Sequence, residues 1–158
     1  MLPKEVTDFI GKSLGTRMFE VERGSIMRFA EAVGDLNPLY HDDEHARNSK
    51  YGSIIAPPGF FGWPAKRTSA VLFSTEIVGE VTDVLAKAGY PRGLDGGIEM
   101  EFFKPIRAGD KLAAASSCKD IVEREGKTGK FALVTYETVY INQEGEVAAK
   151  VVQTSIRR

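Results

Sequence analysis

The chain opens on patterns with the period of a helix and closes on patterns with the period of a strand. Ile26, Phe29, Ala30 and Val33 recur at three- and four-residue intervals, which places them on one face of a helix over residues 25–33. Ile77, Val78, Val81, Val84, Leu85 and Ala88 do the same over 75–88, with Gly89 as the stop. Shorter helical pieces are predicted at 3–12 and 43–49, and a strand near 17–21. After Pro91-Arg92-Gly93 the period changes. Tyr136, Thr138 and Tyr140 alternate with Thr135, Glu137 and Val139. Strands are predicted at 98–104, 111–123, 130–142 and 146–156, with turns at 108–110, 125–127 and 142–145. Helices first and long strands afterwards predict an α+β domain, an antiparallel sheet with one helix layer.

The stretch between the two regimes carries the candidate chemistry. Gly34 follows the last apolar position of the first helix and can adopt the left-handed conformation that ends it. Asn37-Pro38 is a turn dipeptide, because proline cannot continue a helix and biases the preceding residue toward extended geometry. Asp35, Asn37, Tyr40 and His41 therefore fall on a short turn braced by a packed helix. A carboxylate and an imidazole within a few residues of each other are a usual mounting for general acid/base work.

Composition bounds the reading. With 158 residues, 42% of them hydrophobic, one domain over 1–158 with a sizeable core is expected. Lys plus Arg is 21 against 22 for Asp plus Glu, so nothing draws the chain toward nucleic acid or an anionic membrane. A single cysteine, Cys118, leaves no internal disulfide and suits a reducing cytoplasm; in a strand-like run it reads as a small inert hydrophobe. No apolar stretch approaches the ~20 residues that span a bilayer. The N-terminus lacks the charged-then-apolar order of a signal peptide, so a cytoplasmic protein is expected.

Gly34-Asp35-Leu36-Asn37-Pro38-Leu39 resembles the signature of the MaoC-like dehydratases and (R)-specific enoyl-CoA hydratases. That pattern reads roughly G-D-x-N-P-[LIV]-H-x-D, then an alanine, then F-G-x-x-I-A-x-G. Ala46 and the segment 51–59, Tyr-Gly-Ser-Ile-Ile-Ala-Pro-Pro-Gly, lie in the corresponding places, and residues 97–112 resemble a later strand of the family. The resemblance covers roughly residues 15–155. It implies a hot-dog fold, a curled sheet wrapped around a helix, and reversible hydration of a 2-enoyl thioester on CoA or an acyl carrier protein. No cofactor or metal is implied. Such chemistry needs an acid, a base and donors for the thioester oxygen, on which enolate charge develops. In the family the aspartate and histidine share the acid/base work, and a backbone N–H of the I-A-x-G segment helps hold the carbonyl. Asp35 and Asn37 match the family's aspartate and asparagine.

Two departures follow. Tyr40 stands where the family has its histidine, with His41 one residue late. Pro58, which has no N–H, replaces the glycine that would donate, leaving Gly59 as the next amide. Both resemble the non-catalytic half of the family, a partner hot-dog that shapes the acyl tunnel for a copy carrying the complete pair. Ala56, Phe60, Phe61 and Trp63 then become candidates for substrate or interface contact, and a homodimer or heterodimer with a second hot-dog is expected. Tyr40 can itself serve as a catalytic acid or oxyanion donor, and a competing reading keeps Asp35 and His41 as a working pair with Gly59 as donor, since a one-residue slip moves a side chain only ~3.5 Å.

Blander roles stand beside these. Asp35 can simply cap its turn, Tyr40 can be an ordinary half-buried aromatic, His41 can face solvent, and Phe60, Phe61 and Trp63 can be core. A hot-dog thioesterase is the nearest enzymatic rival, and would not need the G-D-x-N-P turn. His41-Asp42-Asp43-Glu44-His45 also fits H-x-x-E-H, two zinc ligands sharing a helix face. Against zinc, Pro38 sits just before the motif and no third ligand follows.

Overall fold

Four short helices and five strands follow one another in a computed structural model that describes residues 1–61 and 76–158, with only the backbone for 76–78. The helices are α1 (Lys4–Thr7), α2 (Arg23–Ala32), α3 (Asp43–Asn48) and α4 (Glu76–Lys87), with one 3₁₀ turn at Pro38–Tyr40 before α3. The strands are β1 (Ser13–Glu20), β2 (Gly93–Phe102), β3 (Lys111–Gly126), β4 (Gly129–Ile141) and β5 (Val147–Arg157). They form one antiparallel sheet in the order β1-β3-β4-β5-β2. The period-two reading of β4 holds: Ala132, Val134, Tyr136, Thr138 and Tyr140 are buried while their neighbours are half-buried.

That inner face is covered in two halves. At one end Val81 and Leu85, four residues apart on α4, pack with Val6 and Phe9 of the α1 region over Cys118, Ile121, Val134 and Tyr136. At the other, Ile26 and Ala30 of α2 pack with Tyr40, Ala46, Ile54 and Ile55 over Leu112, Ala114, Tyr140 and Val151. This second half seats the turn with the candidate residues. The layer of helices on one face of a curled sheet is the expected α+β hot-dog architecture. No helix among the described residues is long and apolar enough to cross a membrane.

Three boundaries differ from the sequence reading. The helix expected over 3–12 shortens to α1, because Gly11 N–H donates to the Cys118 carbonyl and Cys118 N–H to that of Lys12, drawing the chain toward the sheet. β1 accordingly starts at Ser13 rather than near 17. β2 starts at Gly93 rather than Ile98, with an irregularity between Asp95 and Gly97. A Cβ on Gly96 would stand 2.9 Å from the Thr154 carbonyl oxygen, so the glycine permits a kinked strand to lie against β5.

Candidate functional site

The site turn is built almost entirely from local hydrogen bonds. Gly34 ends α2 with φ +73°; its N–H donates to Glu31 O at 3.1 Å and that of Asp35 to Ala30 O at 2.9 Å. Those paired bonds are the glycine-dependent helix cap that the sequence suggests. Two side-chain turns follow. Asp35 Oδ1 accepts the Asn37 N–H at 3.1 Å, and Asn37 Oδ1 accepts the Leu39 N–H at 3.0 Å. Asp42 then caps α3, its Oδ1 accepting the N–H groups of Glu44 and His45.

His41 lies half-buried at the end of the 3₁₀ turn, its Nε2 3.2 Å from the Asp35 backbone oxygen. A carbonyl only accepts, so this contact places the ring proton on Nε2. Arg23, the first residue of α2, donates from Nε to Asp43 Oδ1 at 3.1 Å and from Nη2 to both Asp43 Oδ2 and the His41 carbonyl. The Arg23 hydrogen bond holds the Asp43 carboxyl below its ordinary range, and Asp43 raises the guanidinium in turn. The turn is thus tied to both ends of α2. Because α3 begins at Asp43, His41 and His45 do not share one helix, and the spacing argument for a zinc pair does not apply.

Tyr40, at the position of the family histidine, is only 7% exposed. Burial pushes its phenol up from the ordinary value, with the Asp35 carboxylate and Tyr51 adding to the shift, so it stays protonated at neutral pH.

The segment expected to supply an oxyanion donor has its amides committed. Ile55 N–H donates to Leu39 O at 3.3 Å and Ala56 N–H to Ile106 O at 2.8 Å; Pro57 and Pro58 have none. Gly59 carries the next N–H, on a backbone with φ +94°.

A cavity of about 410 Å³ opens beside the turn. Asn37, Leu39 and Tyr40 line one side; Tyr51, Ile55, Ala56, Pro57 and Pro58 form a second; Phe102, Phe103, Lys104, Pro105 and Ile106 close the third. Asn37, Tyr40 and Ala56 are therefore brought together, whereas Asp35, His41 and Gly59 lie outside the lining. Phe60 and Phe61 are buried core at 3% and 0% exposure. Phe61 stacks on Tyr140 and on Phe102, ring centroids 4.2 and 5.7 Å apart, so it backs the cavity wall. Trp63 lies outside the described residues.

The third wall was missed in the sequence, where 98–104 reads simply as strand. Its signal is the adjacent pair Phe102-Phe103, since neighbours on a strand point to opposite faces and both cannot enter one core. In the structure the chain leaves the sheet there, with the N–H groups of Phe103 and Lys104 both donating to Ala148 O.

Residues 8–151 match the family described as "FAS1-like, dehydratase domain region". The chain belongs to this family. A UPF0336 protein of Streptomyces avermitilis is 37% identical over 120 residues, covering 75% of this chain and 74% of its own. A probable enoyl-CoA hydratase alpha subunit of Thermomonospora curvata is 28% identical, covering 92% of this chain and 48% of its own length. Among solved structures, a chain of the ChsH1-ChsH2 complex from Mycobacterium tuberculosis superimposes with a TM-score of 0.76 at 20% identity, covering 97% of this chain and 86% of that one. The hot-dog assignment and the hydratase/dehydratase family now stand on the fold and the family match together.

Proposed function

We propose that this chain is the partner subunit of an acyl-thioester hydratase or dehydratase, pairing with a second hot-dog that carries the complete aspartate–histidine pair. The observation that carries the reading is the state of residues 55–58: two amides committed to carbonyls and two prolines. A developing enolate oxygen finds no donor there, and loss of one such donor typically costs ~10²–10³ in rate. Tyr40, protonated and buried, replaces the group that would exchange a proton. In this reading the partner holds the thioester and performs the proton transfers. The present chain contributes a shaped wall and excludes water.

The sheet supports pairing. β2 occupies one end of the strand order, and every residue of it is exposed, including Ile98 at 47% and Phe102 at 42%. An unpaired edge with apolar side chains is covered in most stable proteins. The alpha-subunit name of one relative and the two-component title of a structural neighbour are in keeping with a partner chain.

A second reading, an autonomous (R)-hydratase, has one observation in its favour: His41 reaches Asp35 within the same turn. Following 2-enoyl-CoA absorbance beside a free-thiol assay, on the chain co-expressed with a hot-dog bearing the full signature, tests the reaction class. Loss of the enoyl chromophore without thiol release is expected; thiol release without hydration would make the protein a thioesterase.

A further inference from the structure

The outer face of the sheet carries a row of charges whose sign alternates from strand to strand. Lys119 of β3 and Lys150 of β5 each place Nζ 2.9 Å from the Glu137 carboxylate of β4. Glu101 of β2 stands directly across from Lys150 in the ladder. Glu137 raises the Lys150 ammonium and Glu101 adds to the shift, so the β2 carboxylate belongs to the same row. From β3 to β2 the order is cation, anion, cation, anion, and the row ends at the free edge. Glu99 adds a second exposed acid to that face, and neither Glu99 nor Glu101 makes an ion pair among the described residues. The other face of the strand is apolar. Phe102 stacks on Phe61 and Met100 pairs with buried Val151, so Ile98, Met100 and Phe102 face inward. Beyond the kink at Asp95–Gly97 the strand holds no proline or lysine, the usual guards of a sheet edge. Its main chain is open to strand addition, and its acids decide which strand fits.

We propose that the β2 edge pairs with the edge strand of a second hot-dog that presents Lys or Arg on its outer face, and that Glu99 and Glu101 bias the chain against pairing with its own copy. The proposal deepens the partner-subunit reading and rests on it. In a two-fold antiparallel pairing that keeps both inner faces on one side of a continuous sheet, opposite residues share a face, so the register is centred on one residue. Centred on Glu99 or Glu101, it sets an acid against itself. Centred on Met100, it sets Glu99 against Glu101 twice. Centred on Ile98, it leaves the two Glu99 side chains as diagonal neighbours. Like charges directly opposite are destabilising, whereas opposite charges stabilise. A cationic strand instead extends the alternation by one step. Discrimination then has two sources, attraction to the right edge and repulsion of the wrong one.

Sedimentation equilibrium tests this with the full chain and its double variant Glu99→Lys, Glu101→Lys, which supplies a cationic edge on an otherwise identical protein. The equimolar mixture is expected to dimerise about tenfold more tightly than the natural chain with itself, because two facing pairs change from repulsive to attractive. Raising salt from about 0.05 to about 0.5 M should shrink that advantage. The double variant Glu99→Gln, Glu101→Gln removes the repulsion alone and should self-associate about threefold more tightly than the natural chain. It keeps the test open should the lysine variant fail to fold. Equal association in every combination, no association of the natural chain with the lysine variant, or a natural homodimer insensitive to salt and to both variants overturns the proposal. Those results leave the partner-subunit reading standing. That reading falls on a separate measurement, hydration of 2-enoyl-CoA by the natural chain alone, whatever its state of association.

Discussion

His41 meets Asp35 at the backbone: its Nε2 lies 3.2 Å from the Asp35 carbonyl oxygen, while the Asp35 carboxylate accepts the N–H of Asn37 at 3.1 Å. The two groups that would form an acid/base pair are thus each engaged in holding the turn. Asp35→Asn retains an oxygen for the Asn37 amide and should leave thermal stability nearly unchanged. Asp35→Ala removes the acceptor and should cost about 0.5–1.5 kcal/mol, read as a lower denaturation midpoint with an unaltered slope. Equal losses from both would show that charge, not the turn bond, is what matters at this position.

Asp42 is the strongest local determinant of α3, accepting from two backbone N–H groups at 2.9 and 3.0 Å. Asp42→Ala should destabilise by ~0.5–2 kcal/mol, the usual range for loss of an N-cap. For a domain of this size that is a few degrees of melting temperature. Asp42→Ser should recover most of it.

Glu123 links β3 to Tyr90, beyond the end of α4. The Tyr90 hydroxyl, donating at 2.6 Å, together with the Met1 amine and Lys130, lowers its carboxyl from 4.5 to about 2. A folded-state value below the unfolded one gives stability that is present above about pH 4.5 and lost as pH falls toward 2. Urea titrations across that window should show a steeper acid loss for the natural chain than for Glu123→Gln. Parallel curves would remove Glu123 from the account.

Cys118 is fully buried on β3, and burial pushes its thiol up to about 11. The thiolate is the reactive form. Alkylation by iodoacetamide at pH 8 should therefore be negligible on the folded protein and complete after denaturation. Rapid labelling of the native state would contradict the packing of the α4 half of the core.

How much of this was readable in the sequence follows the range of the interactions involved. The turn at 34–42 was legible because glycine, Asx residues and proline act on their immediate neighbours, and the same grammar that signals the turn makes its bonds. Strand β4 was legible through the period-two alternation of residues 135–140, and β3 and β5 through the turns that bound them. Helix 3–12 was overread because the pull of Cys118 on Gly11 acts across more than a hundred residues. The cavity's third wall was missed for the same reason, since Phe102 to Ile106 reach the site only through pairing of β2 with β5 and of Ala56 with Ile106. Tyr40 as a substituted histidine was legible; its place on the cavity wall was not.

The central claim is that this chain does not itself carry the chemistry. Purified alone and given crotonyl-CoA and longer 2-enoyl-CoAs, it should turn over at the background rate, with hydration appearing when a hot-dog chain bearing the full aspartate–histidine signature is added. Robust hydration by the chain alone, falling 10²-fold or more in both Asp35→Asn and His41→Ala, would contradict the claim and make it an autonomous hydratase.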